Sequence, residues 1–306
     1  EGLGELIEHL KPNFFIPGAA KSGTTTLHDM LNTHPEISMS SVKEPGYWKN
    51  KNFKEFGNDE ILNYQNLFDN TKKFKGESST AYMYYDSFIN NVKNNYKEPP
   101  KFIFILRNPI DRYFSHVNWM KGLGLEKNNL EEIINNRAEF NFKEYDDYPK
   151  YYYEFGLYNR WINRFVNNFG KNNIKIISFE ELLKNKLSTL NECFDFIGVS
   201  PLNEIKEIAS NKTRKIVFPS FFHFIRKSAS GRTKYLKYFK YLFPKKSRSD
   251  IKYLMKFIIE KWFKKELKFK KLDDRSRKYL RSIYYKDVNE LKSNLNYKFS
   301  EWEDFN

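Results

Sequence analysis

Asn13-Phe14-Phe15-Ile16-Pro17-Gly18-Ala19-Ala20-Lys21-Ser22-Gly23-Thr24-Thr25-Thr26-Leu27 decides the reading of this chain. A short apolar run ends in small residues, and a segment with helical apolar spacing follows. The pattern predicts a strand, a tight loop and a helix N-terminus. Such a turn suits a phosphate-like anion. Small residues let backbone N–H groups approach it, the unpaired N–H groups of the first helical turn point at it, and Lys21 adds a full charge. A plain capped turn would also use threonine, but a lysine, a Ser-Gly pair and three threonines together exceed what capping needs.

Outward from this loop, short apolar runs alternate with longer stretches of helical spacing, which predicts a parallel sheet covered by helices. The expected strands are Asn13 to Pro17, Glu36 to Met39, Lys73 to Glu77, Lys101 to Leu106 and Ile174 to Phe179. Helices are expected over Thr25 to Asn32, Asn63 to Phe68, Arg112 to Lys121, Tyr158 to Phe169, Glu180 to Ile197 and within Leu272 to Trp302. No internal repeat and no Gly/Ser linker interrupts the 306 residues, so a single domain is expected.

The loop is not a Walker A sequence, in which the lysine directly precedes the final Ser/Thr of GxxxxGK[ST]. Here Lys21 precedes Ser22-Gly23, and the strand Lys101 to Leu106 ends in Arg107-Asn108-Pro109 rather than in a magnesium-binding aspartate. Both features count against a P-loop nucleotide kinase, which is kept as an alternative reading, and an arginine there favours a phosphate over a metal.

Net charge is +15, from 53 basic and 38 acidic residues, which points to an anionic partner. The excess concentrates in Arg226 to Lys271, where 17 Lys or Arg face three acidic residues. Ile251, Leu254, Met255, Ile258, Ile259, Trp262 and Phe263 recur there at helical spacing, opposite Lys252, Lys256, Lys261, Lys264 and Lys265, so a basic helical insertion is expected. It would line an acceptor cleft or touch an anionic membrane; with no accompanying motif, nucleic acid is not the expected partner. The single cysteine, Cys193, sits on an apolar helical face and is expected in the core. A chain without disulfides favours a reducing, cytoplasmic compartment, at the membrane periphery if the insertion binds lipid. No apolar run is long enough to span a bilayer, although an opening at Glu1 rather than Met leaves room for an upstream targeting segment.

Lys21-Ser22-Gly23-Thr24-Thr25-Thr26-Leu27 resembles the 5′-phosphosulfate loop of PAPS-dependent sulfotransferases, enzymes that use 3′-phosphoadenosine 5′-phosphosulfate. Leu106-Arg107-Asn108-Pro109-Ile110-Asp111-Arg112-Tyr113-Phe114-Ser115-His116 is similar to their 3′-phosphate motif. The resemblance covers roughly Asn13 to Phe196, and Tyr279 to Trp302 is similar to the ending of bacterial and heparan-type members. It implies an α/β fold with a P-loop-like parallel sheet flanked by helices. Lys21, Ser22, Gly23, Thr24, Thr25 and Thr26 would hold the phosphosulfate, and Arg107 and Ser115 the 3′-phosphate. No metal is required by this scheme.

Ser41-Val42-Lys43-Glu44-Pro45-Gly46-Tyr47-Trp48 is similar to the Lys-Glu-Pro plus aromatic pair of the same branch, whose glutamate is the catalytic base. An acceptor hydroxyl is a poor nucleophile until its proton is removed, so the resemblance makes Glu44 the base and Lys21 the group that neutralises charge on the leaving oxygen. Lys43, Tyr47, Glu77 and Tyr82 are expected to line the acceptor site. Gly76-Glu77-Ser78-Ser79-Thr80-Ala81-Tyr82 departs from the Glu-Lys-Thr-Pro-like string of heparan-type enzymes, with Ser78 where the lysine would stand. His116, directly after Ser115, does not match the histidine base of the cytosolic branch and is expected to be structural. The implied activity is sulfuryl transfer to a hydroxyl or amine of a carbohydrate or glycolipid, the alternative acceptor being a small secondary metabolite.

Overall fold

The computed structural model describes residues 11–50, 57–135, 149–205 and 272–306, together with the backbone of 214–216 and 264–266. Five parallel strands, β1 (Phe14–Gly18), β2 (Ile37–Met39), β3 (Phe74–Ser78), β4 (Lys101–Leu106) and β5 (Ile174–Ser178), form one sheet in the order β2-β3-β1-β4-β5. With β1 central, its C-terminal end lies between those of β3 and β4, the edge at which open α/β sheets bind ligands.

Successive side chains of a strand point to opposite faces, and here the two faces differ in chemistry. Phe14, Ile16, Ile103, Ile105 and Ile177 form a mainly aliphatic face with Leu27, Met30 and Leu31 of α1 (Thr24–Leu31), Leu182 of α7 (Phe179–Lys184), and Leu190, Cys193, Phe194 and Ile197 of α8 (Lys186–Ile197). The free Cys193 thiol lies in this core, and burial pushes its pKa up to about 12. The opposite face is aromatic. Phe15 meets the Phe88 ring at 5.3 Å, and Phe165 meets those of Phe102 and Phe104 at 5.2 and 4.9 Å. Phe88 belongs to α3 (Asp86–Asn95) and Phe165 to α6 (Tyr158–Phe169), so helices cover both sides. Truncating one of these rings to alanine would cost about 3–5 kcal/mol through lost transfer energy and a cavity.

Three further helices lie among the described residues. One is α2 (Asn58–Gln65). Another, α4 (Pro109–Gly122), begins with a proline at its first position, where the missing N–H is not needed. The third, α9 (Asp274–Leu295), buries Leu280, Tyr284, Val288 and Leu291 along one stripe; Asp273 caps it by accepting from the Ser276 N–H at 2.8 Å. Asp287 of α9 also caps α6, accepting from the Asn159 N–H at 3.2 Å, and its burial there raises its pKa to about 6.

The chain resolves into two units, Glu1–His116, Glu139–Asn211 and Asp273–Asn306 forming the first, and Val117–Ala138 with Lys212–Leu272 the second. α4 crosses from one to the other. The second contains α5 (Leu130–Asn135) and a two-stranded antiparallel sheet of β6 (Arg214–Ile216) and β7 (Lys264–Glu266). Lys264 and Lys265, read from sequence as the polar face of a helix, therefore lie in a strand; the apolar stripe Ile251 to Phe263 falls outside the described residues. Among the described residues no helix is long and apolar enough to cross a membrane.

Candidate active site

The loop after β1 is anchored at its start by the Ala19 N–H, which donates to the Ile105 carbonyl of β4 at 2.9 Å. It then passes through two left-handed residues, Lys21 at φ 67° and Gly23 at φ 90°. Gly23 is required twice over: only glycine adopts that φ without strain, and a Cβ there would lie 2.3 Å from the Phe179 ring. Gly23 is also the N-cap of α1. No side chain caps this helix and no acidic residue occupies its first turn, which leaves the first-turn N–H groups oriented toward an anion.

Two further features fit a phosphate- or sulfate-type anion. Ser22 is fully buried beside the Tyr158 hydroxyl, and its Oγ has no well-formed hydrogen bond among the described residues. The surroundings of Lys21 are cationic: its pKa falls to about 8 through burial first, then repulsion from Arg107, Lys43 and Arg112. Arg112, missed by the sequence reading, is completely buried. It donates to the Tyr152 carbonyl and faces His116 Nδ1 at 3.4 Å, and its Nε has no partner among the described residues. A buried guanidinium with no carboxylate bound to it among the described residues adds positive potential behind the loop.

Arg107 leaves the end of β4 with its guanidinium 5.4 Å from the centre of the Phe179 ring, so Phe179 supports both Gly23 and Arg107. Its carbonyl accepts from the Tyr158 hydroxyl at 2.8 Å. Ser115 is half-buried in α4. His116 is buried against Tyr152 and Phe155, and burial followed by the charges of Arg112 and Lys21 holds it well below the usual histidine range.

Glu44 is the third left-handed residue, at φ 61°, in the loop after β2. Its N–H donates to the Ser78 carbonyl at 2.9 Å, tying the loop to the end of β3. Its carboxylate accepts from the Thr80 backbone N–H at 2.8 Å and from Lys43 Nζ at 2.7 Å, yet the side chain remains 42% exposed. Thr80 opens the 3₁₀ turn Thr80–Met83, so a fresh helical N–H pins the acid. Behind it, Ser78 Oγ contacts His28 Nδ1 at 2.9 Å, where burial and Lys43 lower the His28 pKa to about 4. Tyr84 is buried in this region, and burial above all, with a smaller contribution from the charge of Glu44, opposes its ionisation.

Glu77 and Tyr82, expected to line the acceptor site, are fully buried instead. Glu77 accepts from the Tyr64 hydroxyl and, at 2.7 Å, from Ser79 Oγ. The Tyr82 hydroxyl accepts from the Trp48 N–H at 3.0 Å. Alternation along β3 turns Glu77 toward the aromatic face, where desolvation outweighs its hydrogen bonds and lifts its pKa to about 7. Ser79 Oγ also accepts from the Gly46 N–H at 3.1 Å, so this buried network braces the Glu44 loop. Tyr47 stacks on Tyr64 with centroids 4.0 Å apart.

The chain has recognisable relatives among known proteins. The model of the sulfotransferase domain matches residues 11–291. Carbohydrate sulfotransferase 15 of Rattus norvegicus is 25% identical over 262 residues, covering 66% of this chain and 46% of that protein, so the chain spans about half the length of this curated relative. The membrane-associated sulfotransferase kil1 of Dictyostelium discoideum is 29% identical over 124 residues, covering 36% of this chain and 24% of that protein. A sulfotransferase crystal structure from Alicyclobacillus acidocaldarius superposes with a TM-score of 0.65 at 20% identity, covering 96% of this chain and 99% of that one, and shares its fold. The matched domain spans the anion loop, the Arg107 turn and most of α9 in one continuous run, and the chain belongs to the PAPS-dependent sulfotransferase family.

Proposed function

We propose that this chain transfers a sulfuryl group from PAPS to a hydroxyl of a carbohydrate or glycolipid, with Glu44 as the general base. PAPS, when bound, supplies the sulfuryl group and a nucleotide leaving group. The observation that carries the reading is the Glu44 carboxylate: fixed by the Thr80 N–H and Lys43, 42% exposed, and at the same sheet edge as the cationic loop. A positioned carboxylate of this kind can take the proton of an acceptor hydroxyl at its free lone pairs. Lys21, Ser22 Oγ and the first-turn N–H groups of Thr24, Thr25 and Thr26 hold the anionic end, and Lys21 places positive charge where negative charge grows. Arg107 and Ser115 grip the 3′-phosphate, the guanidinium by a bidentate charge-assisted pair.

The carbohydrate class is supported by the relative named above and by the Lys43-Glu44-Pro45 string. Incubating the protein with labelled PAPS and a panel of sugars, glycolipids and small phenols tests it: label in a sugar is expected, and label confined to phenols would replace the acceptor class. 3′-Phosphoadenosine 5′-phosphate (PAP) is expected to raise the melting temperature and ATP with magnesium not comparably; the reverse would favour a kinase. For Arg226 to Lys271 we propose peripheral contact with anionic membrane, checked by salt-dependent sedimentation with anionic but not neutral vesicles.

A further inference from the structure

Four side chains close a ring across the start of α4. Asp304, in the terminal turn Glu303–Phe305, accepts from Arg277 Nε at 2.8 Å and from one Arg277 terminal nitrogen at 2.5 Å. The other terminal nitrogen of Arg277 donates to Asp111 at 2.9 Å. Asp304 Oδ2 also accepts from Asn108 Nδ2 at 2.7 Å. Asn108 directly precedes α4 and Asp111 lies in its first turn, so the ring runs from α9 through the terminal turn to the helix start and back along the backbone. These charge-assisted bonds raise the Arg277 pKa. An isolated exposed ion pair contributes little, but here one guanidinium binds two carboxylates and the Asp304 side chain is only 13% exposed.

A second route leads to the same residue. Trp302 is fully buried and its indole N–H donates to Glu180 Oε2 at 3.0 Å, while Glu180 Oε1 accepts from the Asn108 N–H at 3.0 Å. Asn108 Oδ1 accepts from the Ile110 N–H at 3.0 Å and its carbonyl from the Arg112 N–H at 2.9 Å. The peptide that follows Arg107 is thus held at both its polar atoms, by Tyr158 at the Arg107 carbonyl and by Glu180 at the Asn108 N–H, while Asp304 holds the Asn108 side chain.

We propose that Asp304 is a positioning residue for 3′-phosphate recognition: held by Arg277, it fixes the Arg107-Asn108-Pro109 turn so that Arg107 is presented to the nucleotide, and the terminal turn is thereby part of the nucleotide-reading machinery. This rests on the assignment of Arg107 to the 3′-phosphate. A group that merely stabilises the fold would affect every nucleotide alike, whereas a group that aims Arg107 affects only those carrying the 3′-phosphate.

Calorimetric titration of the full chain with PAP and with adenosine 5′-monophosphate separates these cases. Asp304→Ala is expected to weaken PAP binding about tenfold while leaving adenosine 5′-monophosphate within about twofold, so the preference collapses. Asp304→Asn, which keeps an acceptor for Asn108 Nδ2, should recover most of the preference. Arg277→Lys, which keeps the charge but loses the fork, should show a smaller loss in the same direction and serves if Asp304→Ala does not fold. Equal weakening of both nucleotides, or of neither, in the folded variants overturns the proposal. Arg107→Ala is the control: if it abolishes the preference while the Asp304 and Arg277 variants keep it, the positioning role alone fails; if it leaves the preference intact, the assignment of Arg107 fails and the proposal with it.

Discussion

The Glu44 carboxylate and the Thr80 backbone N–H meet at 2.8 Å across 36 positions of sequence, joining the loop after β2 to the turn after β3. That contact separates holding the acid from using it. Glu44→Gln keeps an oxygen for Thr80 but no basic lone pair, so turnover is expected to fall about 10²- to 10⁴-fold while PAP affinity stays within about twofold. Steady-state assays and calorimetry check this. A variant retaining more than about a tenth of wild-type turnover would move the base elsewhere.

Lys21 ties nucleotide binding to pH. With its free-protein pKa near 8, the side chain loses its proton as pH rises through that value, and a bound anion restores it. The complex then holds more protons than the free protein, so PAP affinity should be flat below about pH 8 and fall by up to tenfold per unit above it. Titration in buffers of different ionisation enthalpy should show proton uptake at pH 8.5. Lys21→Arg, charged throughout, should bind with a flat profile; a sloped one would assign the proton to another group.

Gly23→Ala tests the tight fit of the loop. The left-handed φ and the 2.3 Å approach of a new Cβ to the Phe179 ring should cost about 1–3 kcal/mol of stability and weaken PAP binding together. Thermal melts and calorimetry on the same preparations decide it, and unchanged values in both would mean the loop accommodates a side chain.

Glu77 should leave a mark on stability against pH. Its folded pKa, near 7, lies above the ordinary 4.5, so the folded state binds more protons between these values and stability falls as pH rises from 4.5 to 7. The loss is on the order of 3 kcal/mol. Urea unfolding at pH 5 and pH 8 should show wild type losing stability relative to Glu77→Gln over this interval; parallel curves would place the titration elsewhere.

Much of this was legible in the sequence, and the failures have physical causes. β4 and α6 lie where their apolar patterns place them. The helix expected at Asn63 to Phe68 runs Asn58–Gln65, because only Tyr64 and Gln65 of it are buried and its start carries no apolar stripe. The helix expected over Glu180 to Ile197 breaks at Asn185 into α7 and α8. α3 went unread because asparagines dilute Phe88, Ile89 and Val92. Lys21 and Glu44 could be singled out through local motifs. Phe179, Thr80 and Arg112 could not, since each acts on a partner brought close only by the sheet. Glu77 could be picked out as a residue of interest, but its environment could not, because burial depends on the aromatic face as a whole.

Trp48 gives that face an optical reporter. Its indole N–H donates to the Tyr64 hydroxyl at 2.9 Å, and that hydroxyl donates to Glu77. Ionisation of one carboxyl two bonds away thus changes the electric field at a buried fluorophore whose own backbone continues the Glu44 loop. Emission from Trp48, isolated by replacing the other tryptophans with phenylalanine, would follow the loop in real time without any added label.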